Sequence, residues 1–300
     1  MDKNSENTKD QEVHNIHNKF FRDIYGRPSN AVGFLKDFLP SSILDSLDLD
    51  MVTVRKKSYL SEEYKEHYND LVVKTRLKGS DELAFVYFLL EHKSSVHGRA
   101  ALQMLRYMVE QWYELEKQGL LVGKLPPIFP ILIYHGPGGW TPGLYFQDIV
   151  NLPHEDMKPY IPDFQYFLSD AAREGEENYT SSVVIQCWFI VMKYIKEPAM
   201  RDKLFDILGL LHRYLDLEAA TEYVEIFLKY LANTETPVTG KDAARAIESI
   251  FPEGGTDMIK GWAKEYAEEG MLTEAKEMVM EALDTKFSTN IPADVQRKIN

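Results

Sequence analysis

The stretch "LAFVYFLLEHKS", Leu83 to Ser94, joins a long apolar run directly to an acid and a base, Glu91 and Lys93. An apolar run of this kind is typical of a strand that is buried on both faces of a sheet. Charged groups are costly to bury unless they are paired or coordinated. Glu91 and Lys93 at the end of such a strand therefore indicate either an ion pair or a site that uses both.

The periodicity around this strand predicts a mixed α/β (α+β) fold, in which a mixed sheet is flanked by helices and followed by a helical C-terminal region. Helices precede three strands, "MVTVRKKSYL", "DLVVKTRLK" and "ELAFVYFLLEHKS". A helix at 97–118, the strands "IFPILIYHG" and "FQYFLSD", and helices beyond Ser181 follow. We divide the chain into a disordered polar tail at 1–13, a first domain at 14–180 and a helical region at 181–300, whose helices could form a dimer.

Composition excludes several classes of protein. No stretch approaches the ~18 apolar residues that a membrane span needs, and the polar N-terminus does not resemble a secretory signal. The single cysteine, Cys187, excludes an internal disulfide and a thiolate-rich metal site. We therefore expect a cytoplasmic protein with no membrane partner.

The distribution of charge is uneven. The net charge of −13 argues against a nucleic-acid partner, since phosphate repels an acidic surface. Residues 51–106 nevertheless carry ten Lys and Arg against seven Asp and Glu. A mildly basic face on an acidic body, or ordinary surface lysines on a solvated hairpin, both remain open from charge alone.

The hairpin before Glu91 predicts a cluster of charged groups. With the turn placed between Ser80 and Asp81, Asp70 faces Glu91 across the strand pair, with their Cβ atoms about 5 Å apart. Glu91 and Lys93 point to the same face because side chains alternate along a strand. Three charged groups are therefore expected on one face, provided that this register holds.

Two opposed carboxylates repel each other unless a cation lies between them. Mg²⁺ is a natural occupant, since it takes one or two carboxylates and keeps several waters. The His92 carbonyl could supply a third oxygen, and Lys93 could orient an attacking water or neutralise charge on a phosphate. This set suits metal-assisted hydrolysis of a phosphodiester. The alternative is a structural salt bridge between Lys93 and one of the acids.

The helix after Lys93 adds a polar stripe beside a core stripe. Gln103 and Tyr107 lie one turn apart on it, close to the expected site. A polar helical stripe is usually solvated surface, yet this one begins next to the proposed cluster.

The chain resembles the PD-(D/E)XK nuclease superfamily in its order of elements, helix, strands, helix, strand, and in three motifs: Asp70, Glu91-x-Lys93 and Gln103-x-x-x-Tyr107. The segments "HNKFFRDIYGRPSNAVGFLKDFLP", "YNDLVVKTRLK", "FLLEHKSS", "LRYMVEQW" and "ILIYHGPGGWT" more closely resemble the Rpn family of recombination-promoting nucleases, also described as YhgA-like transposases. The resemblance covers about residues 14–170. Taken singly these motifs are weak, whereas together and in order they are fairly specific.

The resemblance implies a restriction-endonuclease-like core and an Mg²⁺-dependent DNA endonuclease, with Mn²⁺ or Ca²⁺ as other candidate ions. Its activity would be linked to recombination or to the processing of mobile or foreign DNA. Asp70 and Glu91 take the metal-ligand positions and Lys93 that of the catalytic lysine. Gln103 and Tyr107 match a motif that steadies the site or touches substrate, and Asp23 takes a helix position where related nucleases often carry an acid.

Two departures from the family pattern bear on activity. Asn69 precedes Asp70 where the superfamily name has proline, a common substitution. Lys93 stands where many Rpn relatives carry glutamine, and the lysine is closer to the superfamily pattern. No transposase catalytic triad is evident, so we expect nuclease chemistry and not transposition.

A second function stays open: a non-catalytic DNA- or protein-binding assembly module built on a nuclease fold. In it, Glu91-x-Lys93 would be a salt bridge and the C-terminal helices would recruit a partner. An apolar stripe there, running from Met258 and Trp262 to Met278 and Leu283, fits either an intrachain core or a homodimer surface.

Overall fold

The computed structural model of the 300-residue chain describes residues 16–55, 71–91, 98–121, 123–136, 138–171, 173–255, 257–259, 278, 280–283 and 285–286, with Glu91 described through its backbone. The predicted tail at residues 1–13 lies outside this part of the chain. The helices described are α1 at 16–25, α2 Pro28–Phe38, α3 Ser41–Leu44, α4 Ala100–Lys117, α5 Val183–Tyr194, α6 Met200–Tyr214, α7 Leu217–Ala232 and α8 Gly240–Ile250. The strands are β1 Thr53–Arg55, β2 Leu71–Arg76, β3 Leu83–Glu91, β4 Ile128–Tyr134 and β5 Phe167–Asp170.

The strands form one mixed sheet in the order β1-β2-β3-β4-β5. β1, β2 and β3 pair antiparallel, whereas β3, β4 and β5 run parallel. Parallel neighbours need a long crossover, and α4 provides it between β3 and β4. The predicted mixed α/β fold, with flanking helices and a helical C-terminal region, is confirmed.

β3 lies at the centre of the sheet and is buried on both faces. Phe85, Tyr87 and Leu89 belong to one apolar cluster with α4. Phe88 faces the other way, where its ring centroid lies 5.6 Å from that of Phe34 in α2 and 5.9 Å from that of Tyr25. The apolar run therefore forms the strand that the sequence predicts, and that strand ends at Glu91.

The pairing of β2 with β3 differs from the predicted register by two residues. The prediction opposes Leu71 to Leu90, whereas the structure opposes Leu71 to Phe88. The reason is the position of the turn: the Leu77 N–H donates to the Glu82 carbonyl, 2.8 Å, which centres the four-residue loop between Gly79 and Ser80 and not between Ser80 and Asp81. Gly79 adopts a left-handed φ of 77° there. An even shift keeps each side chain on its predicted face, because the side-chain period is two.

The chain forms two compact units. One runs from Ile24 to Ser182 and contains the sheet with α2, α3 and α4. The other combines the described residues up to Asp23 with those from Val183 onward. No helix in the described ranges has the length and apolarity that a membrane crossing requires.

The helical unit has its own core. α6 contacts α5, α7 and α8, and Phe20 of α1 stacks on Tyr230 of α7 with ring centroids 4.0 Å apart. Met258, Met278 and Leu283, the described members of the C-terminal apolar stripe, are buried in the chain itself. This burial matches the interpretation of these three positions as an intrachain core. The homodimer surface stays a prediction.

Candidate active site

Part of the predicted site lies outside the described residues. Asp70, His92 and Lys93 fall in undescribed segments, and Glu91 is described through its backbone. Their roles in metal binding and catalysis therefore stay predictions.

The backbone of Glu91 lies at the carboxyl end of the parallel part of the sheet. Glu91 pairs in register with Tyr134 of β4, and Tyr134 pairs with Asp170 of β5. In open α/β sheets, ligands bind in the crevice outside the carboxyl ends of the strands. The Glu91-x-Lys93 motif thus starts at the edge where such folds place their sites.

α4 packs on the middle of β3 through a stacked pair of tyrosines. The rings of Tyr107 and Tyr87 lie 3.7 Å apart and are inclined by 7°. The Tyr107 hydroxyl donates to Gln111 Oε1, 3.1 Å, inside the helix. Tyr107 is 3% exposed. Of the two roles open to Tyr107, steadying the site fits this burial, since a residue so enclosed presents no surface to a substrate.

Gln103 and Asp23 have different surroundings. Gln103 lies one turn before Tyr107 and is half-buried, so part of its side chain faces solvent near the start of α4. Asp23 is half-buried in α1 and belongs to the helical unit. The predicted contributions of both residues to the site stay predictions.

The sequence analysis missed a polar cluster at the carboxyl end of β5. The Trp140 N–H donates to Asp170 Oδ2, 2.9 Å, and Arg173 Nε lies 3.6 Å from the same oxygen. Arg173 also donates to the Gly138 carbonyl, 3.0 Å. Gly138 and Gly139 adopt left-handed φ values of 97° and 76°, which only glycine tolerates readily. Asp170 and Arg173 therefore fix the turn that follows β4.

A second carboxylate, that of Glu174, organises the next turn. Glu174 Oε1 accepts from the Asp170 N–H, 3.0 Å, and Oε2 accepts from the hydroxyls of Ser169 and Tyr179. Ser169 and Asp170 are buried, and each has at least one described partner. These bonds satisfy buried polar groups, so the cluster is a structural support for this sheet edge. An acid directly after an apolar strand, "YFLSD", is the sequence signal that could have located it.

The cluster predicts a loss of stability in alkaline solution. Burial, followed by the charge of Glu174, raises the pKa of Tyr179 above its ordinary value of 10.0. The folded state therefore keeps Tyr179 as a neutral phenol at pH values at which this phenol ionises in the unfolded chain. The free energy of unfolding consequently falls as the pH rises beyond about 10. We expect the Tm to fall between about pH 9 and pH 11, and to fall less steeply in Tyr179→Phe. Identical slopes in thermal melts of both proteins would contradict this linkage.

A metal centre is not formed by the described side chains. They include no group of three or more His, Cys, Asp and Glu residues placed to hold an ion. The predicted metal ligands, Asp70, Glu91 and the His92 carbonyl, are not among these described side chains. This absence therefore says nothing about them, and they stay predictions.

Comparison with known proteins gives a consistent set of relatives. Residues 15–222 match the protein family described as "Putative transposase, YhgA-like". The recombination-promoting nuclease RpnA of Escherichia coli K12 is 27% identical over 120 residues, which are 40% of this chain and 40% of RpnA. RpnC of the same strain is 22% identical over 256 residues, 80% of this chain and 82% of RpnC.

One relative is named as an inactive protein. RpnE of Escherichia coli K12, an "inactive recombination-promoting nuclease-like protein", is 24% identical over 120 residues, 40% of this chain and 39% of RpnE. The matches to RpnA and RpnE thus span less than half the length of those relatives. No solved structure matches this chain at a significant level.

Proposed function

The chain belongs to the YhgA-like transposase family, whose members include the Rpn nucleases, and from that membership we propose that it is a metal-dependent DNA endonuclease. It would hydrolyse phosphodiester bonds during recombination or during the processing of mobile or foreign DNA. The observation that supports this most directly is the position of Glu91, at the carboxyl end of the central strand. A buried strand that ends in an acidic residue at this edge is more typical of a functional site than of ordinary protein surface.

The observed register is compatible with a shared ion. If this pairing continued by one more residue, Asp70 would oppose Leu89 and would lie diagonal to Glu91 on one face. Diagonal Cβ atoms lie about 7–8 Å apart, within reach of longer side chains. We therefore propose that the carboxylates of Asp70 and Glu91 coordinate one divalent ion between them and do not contact each other.

Each proposed residue has a separate role. Asp70, Glu91 and the His92 carbonyl would hold Mg²⁺, which supplies Lewis-acid stabilisation of the phosphate when bound. Lys93 would orient the attacking water and counter the charge that builds on the phosphate. Gln103 would contact substrate or the site rim, and Tyr107 would hold β3 against α4.

Removal of divalent ions is expected to abolish cleavage. Supercoiled plasmid should be nicked or linearised by the purified protein in Mg²⁺ or Mn²⁺ and left intact in EDTA, with activity restored by excess Mg²⁺. Lys93→Met should cut far more slowly, while its Mg²⁺ affinity, measured by calorimetry, stays within a few fold. Cleavage that persists in EDTA would contradict metal dependence, and intact plasmid in every ion would contradict the proposed function.

The non-catalytic module is the second candidate, and the name of RpnE favours it. In that case Glu91 and Lys93 form a salt bridge, and the protein binds DNA or another protein without cutting. The two candidates differ in one measurement. Duplex DNA that is bound but never cleaved in Mg²⁺ or Mn²⁺ would support the module.

A further inference from the structure

A basic patch lies at the β1 edge of the sheet and consists of Arg55, Lys74 and Arg76. β1 and β2 pair so that Thr53 opposes Lys74 and Arg55 opposes Val72. Arg55 and Lys74 are therefore diagonal neighbours on one face, and Arg76 follows Lys74 on that face two residues later. Three cations are thus collected on adjoining strands.

The described residues compensate the charges of Lys74 and Arg76 only in part. Arg76 pairs with Asp81, but their side chains are 41% and 95% exposed, and exposed pairs contribute little. Within the described ranges no carboxylate forms an ion pair with Lys74. Burial, followed by the charges of Arg55 and Arg76, lowers the pKa of Lys74. Like charges on neighbouring strands are destabilising, so a bound anion would relieve the repulsion.

The basic patch lies on the face of the sheet that packs against α4. Val72, which lies between the cations, belongs to the apolar cluster that packs on α4, as do Tyr87 and Leu89 of β3. Lys74 opposes Phe85 of β3, and Glu91 lies six residues after Phe85 on the same strand. At about 3.3 Å per residue, the separation along the strand is about 20 Å.

We infer that the basic patch binds the phosphate backbone of duplex DNA on one flank of the cleavage position, an inference that rests on the proposed nuclease function. Successive base pairs rise about 3.4 Å along the helix axis, so 20 Å along that axis corresponds to about six base pairs. At that distance the cations cannot neutralise the phosphate that is cut, but they can hold the substrate. The net charge of −13 repels DNA elsewhere and so favours this face.

Binding and cleavage of a labelled duplex of about 30 base pairs separate holding from chemistry. Anisotropy in EDTA measures affinity without cutting, and steady-state cleavage in Mg²⁺ gives kcat and KM. The variants are Lys74→Gln and Lys74→Gln/Arg76→Gln, with Lys74→Arg as the control that keeps the charge. Lys196→Gln, which removes an exposed lysine of the helical unit, controls for net charge.

The double glutamine variant is expected to bind roughly tenfold more weakly, with a slope of log affinity against log salt that is smaller by about 1 to 2. KM should rise by a similar factor while kcat stays within twofold. Lys74→Arg and Lys196→Gln should behave as wild type, and the Tm of the glutamine variants should not fall. Unchanged affinity and salt slope in the double variant, with cleavage intact, would overturn the basic patch and leave the nuclease standing. A wild type that neither binds nor cuts DNA would overturn the nuclease itself.

Discussion

Glu91→Gln is expected to reduce DNA cleavage on the order of 10³-fold while the protein stays folded. The amide has the shape of the carboxylate but lacks the charge that binds a divalent ion. Asp70→Asn should have an effect of the same size. If both carboxylates hold one ion, the double variant should be hardly worse than either single one, because groups that act as a unit are not additive.

Glu82→Gln is the matched control for this series. Glu82 is an exposed acid that directly precedes β3, at the end of the strand remote from Glu91. It should cleave plasmid at the wild-type rate. Wild-type cleavage by Glu91→Gln would refute the assignment of Glu91. A marked drop in the Tm of Glu91→Gln, together with no cleavage by the wild type, would favour the structural salt bridge with Lys93.

Tyr107→Ala is expected to lower the free energy of unfolding of the sheet-containing unit by roughly 3–5 kcal/mol. The change removes a ring that is stacked at 3.7 Å on Tyr87 and enclosed in the α4 cluster, and it leaves a cavity. It also leaves Gln111 Oε1, on a buried side chain, without the hydroxyl that donates to it. Urea denaturation followed by fluorescence would measure the loss.

Tyr107→Phe and Tyr113→Ala bracket that result. Tyr107→Phe keeps the ring and loses the hydroxyl, so it should cost about 1–3 kcal/mol. Tyr113 lies on the same helix but is 67% exposed, so its replacement by alanine should change stability by less than about 0.5 kcal/mol. A stable Tyr107→Ala protein with impaired cleavage would mean that Tyr107 acts on the substrate and not on the fold.

The sequence identified the elements better than it identified their alignment. The apolar run before Glu91 has one physical solution, a central strand, because both faces must be covered. The register of the β2–β3 hairpin was wrong because it depends on the turn. Gly-Ser-Asp is compatible with a turn centred on Gly79-Ser80 or on Ser80-Asp81, and the Leu77–Glu82 hydrogen bond that decides between them leaves no separate pattern in the sequence.

The sequence located the strand end on which the site prediction depends, because the apolar run stops at Glu91. The structure places that strand end beside those of β4 and β5, and the roles of Glu91 and Lys93 stay predictions. The acid after the apolar strand "YFLSD" marks the position of the polar cluster, but the partners that Asp170 and Arg173 bind lie in the loop after β4 and escaped prediction. The contact between Asp170 and Trp140 joins residues 30 positions apart, and nothing local announces such a pairing.

The central position of β3 has a consequence for how amide protons exchange with solvent. A strand with ladders on both sides and cover on both faces can release its amides only when the whole unit opens. Glu91 ends this strand, and in the described residues its main chain is held by the β4 ladder through Tyr134, whereas the middle of β3 is held by β2 and β4 together. A weakened sheet should accordingly lower the number of competent molecules long before it alters the turnover of those that remain.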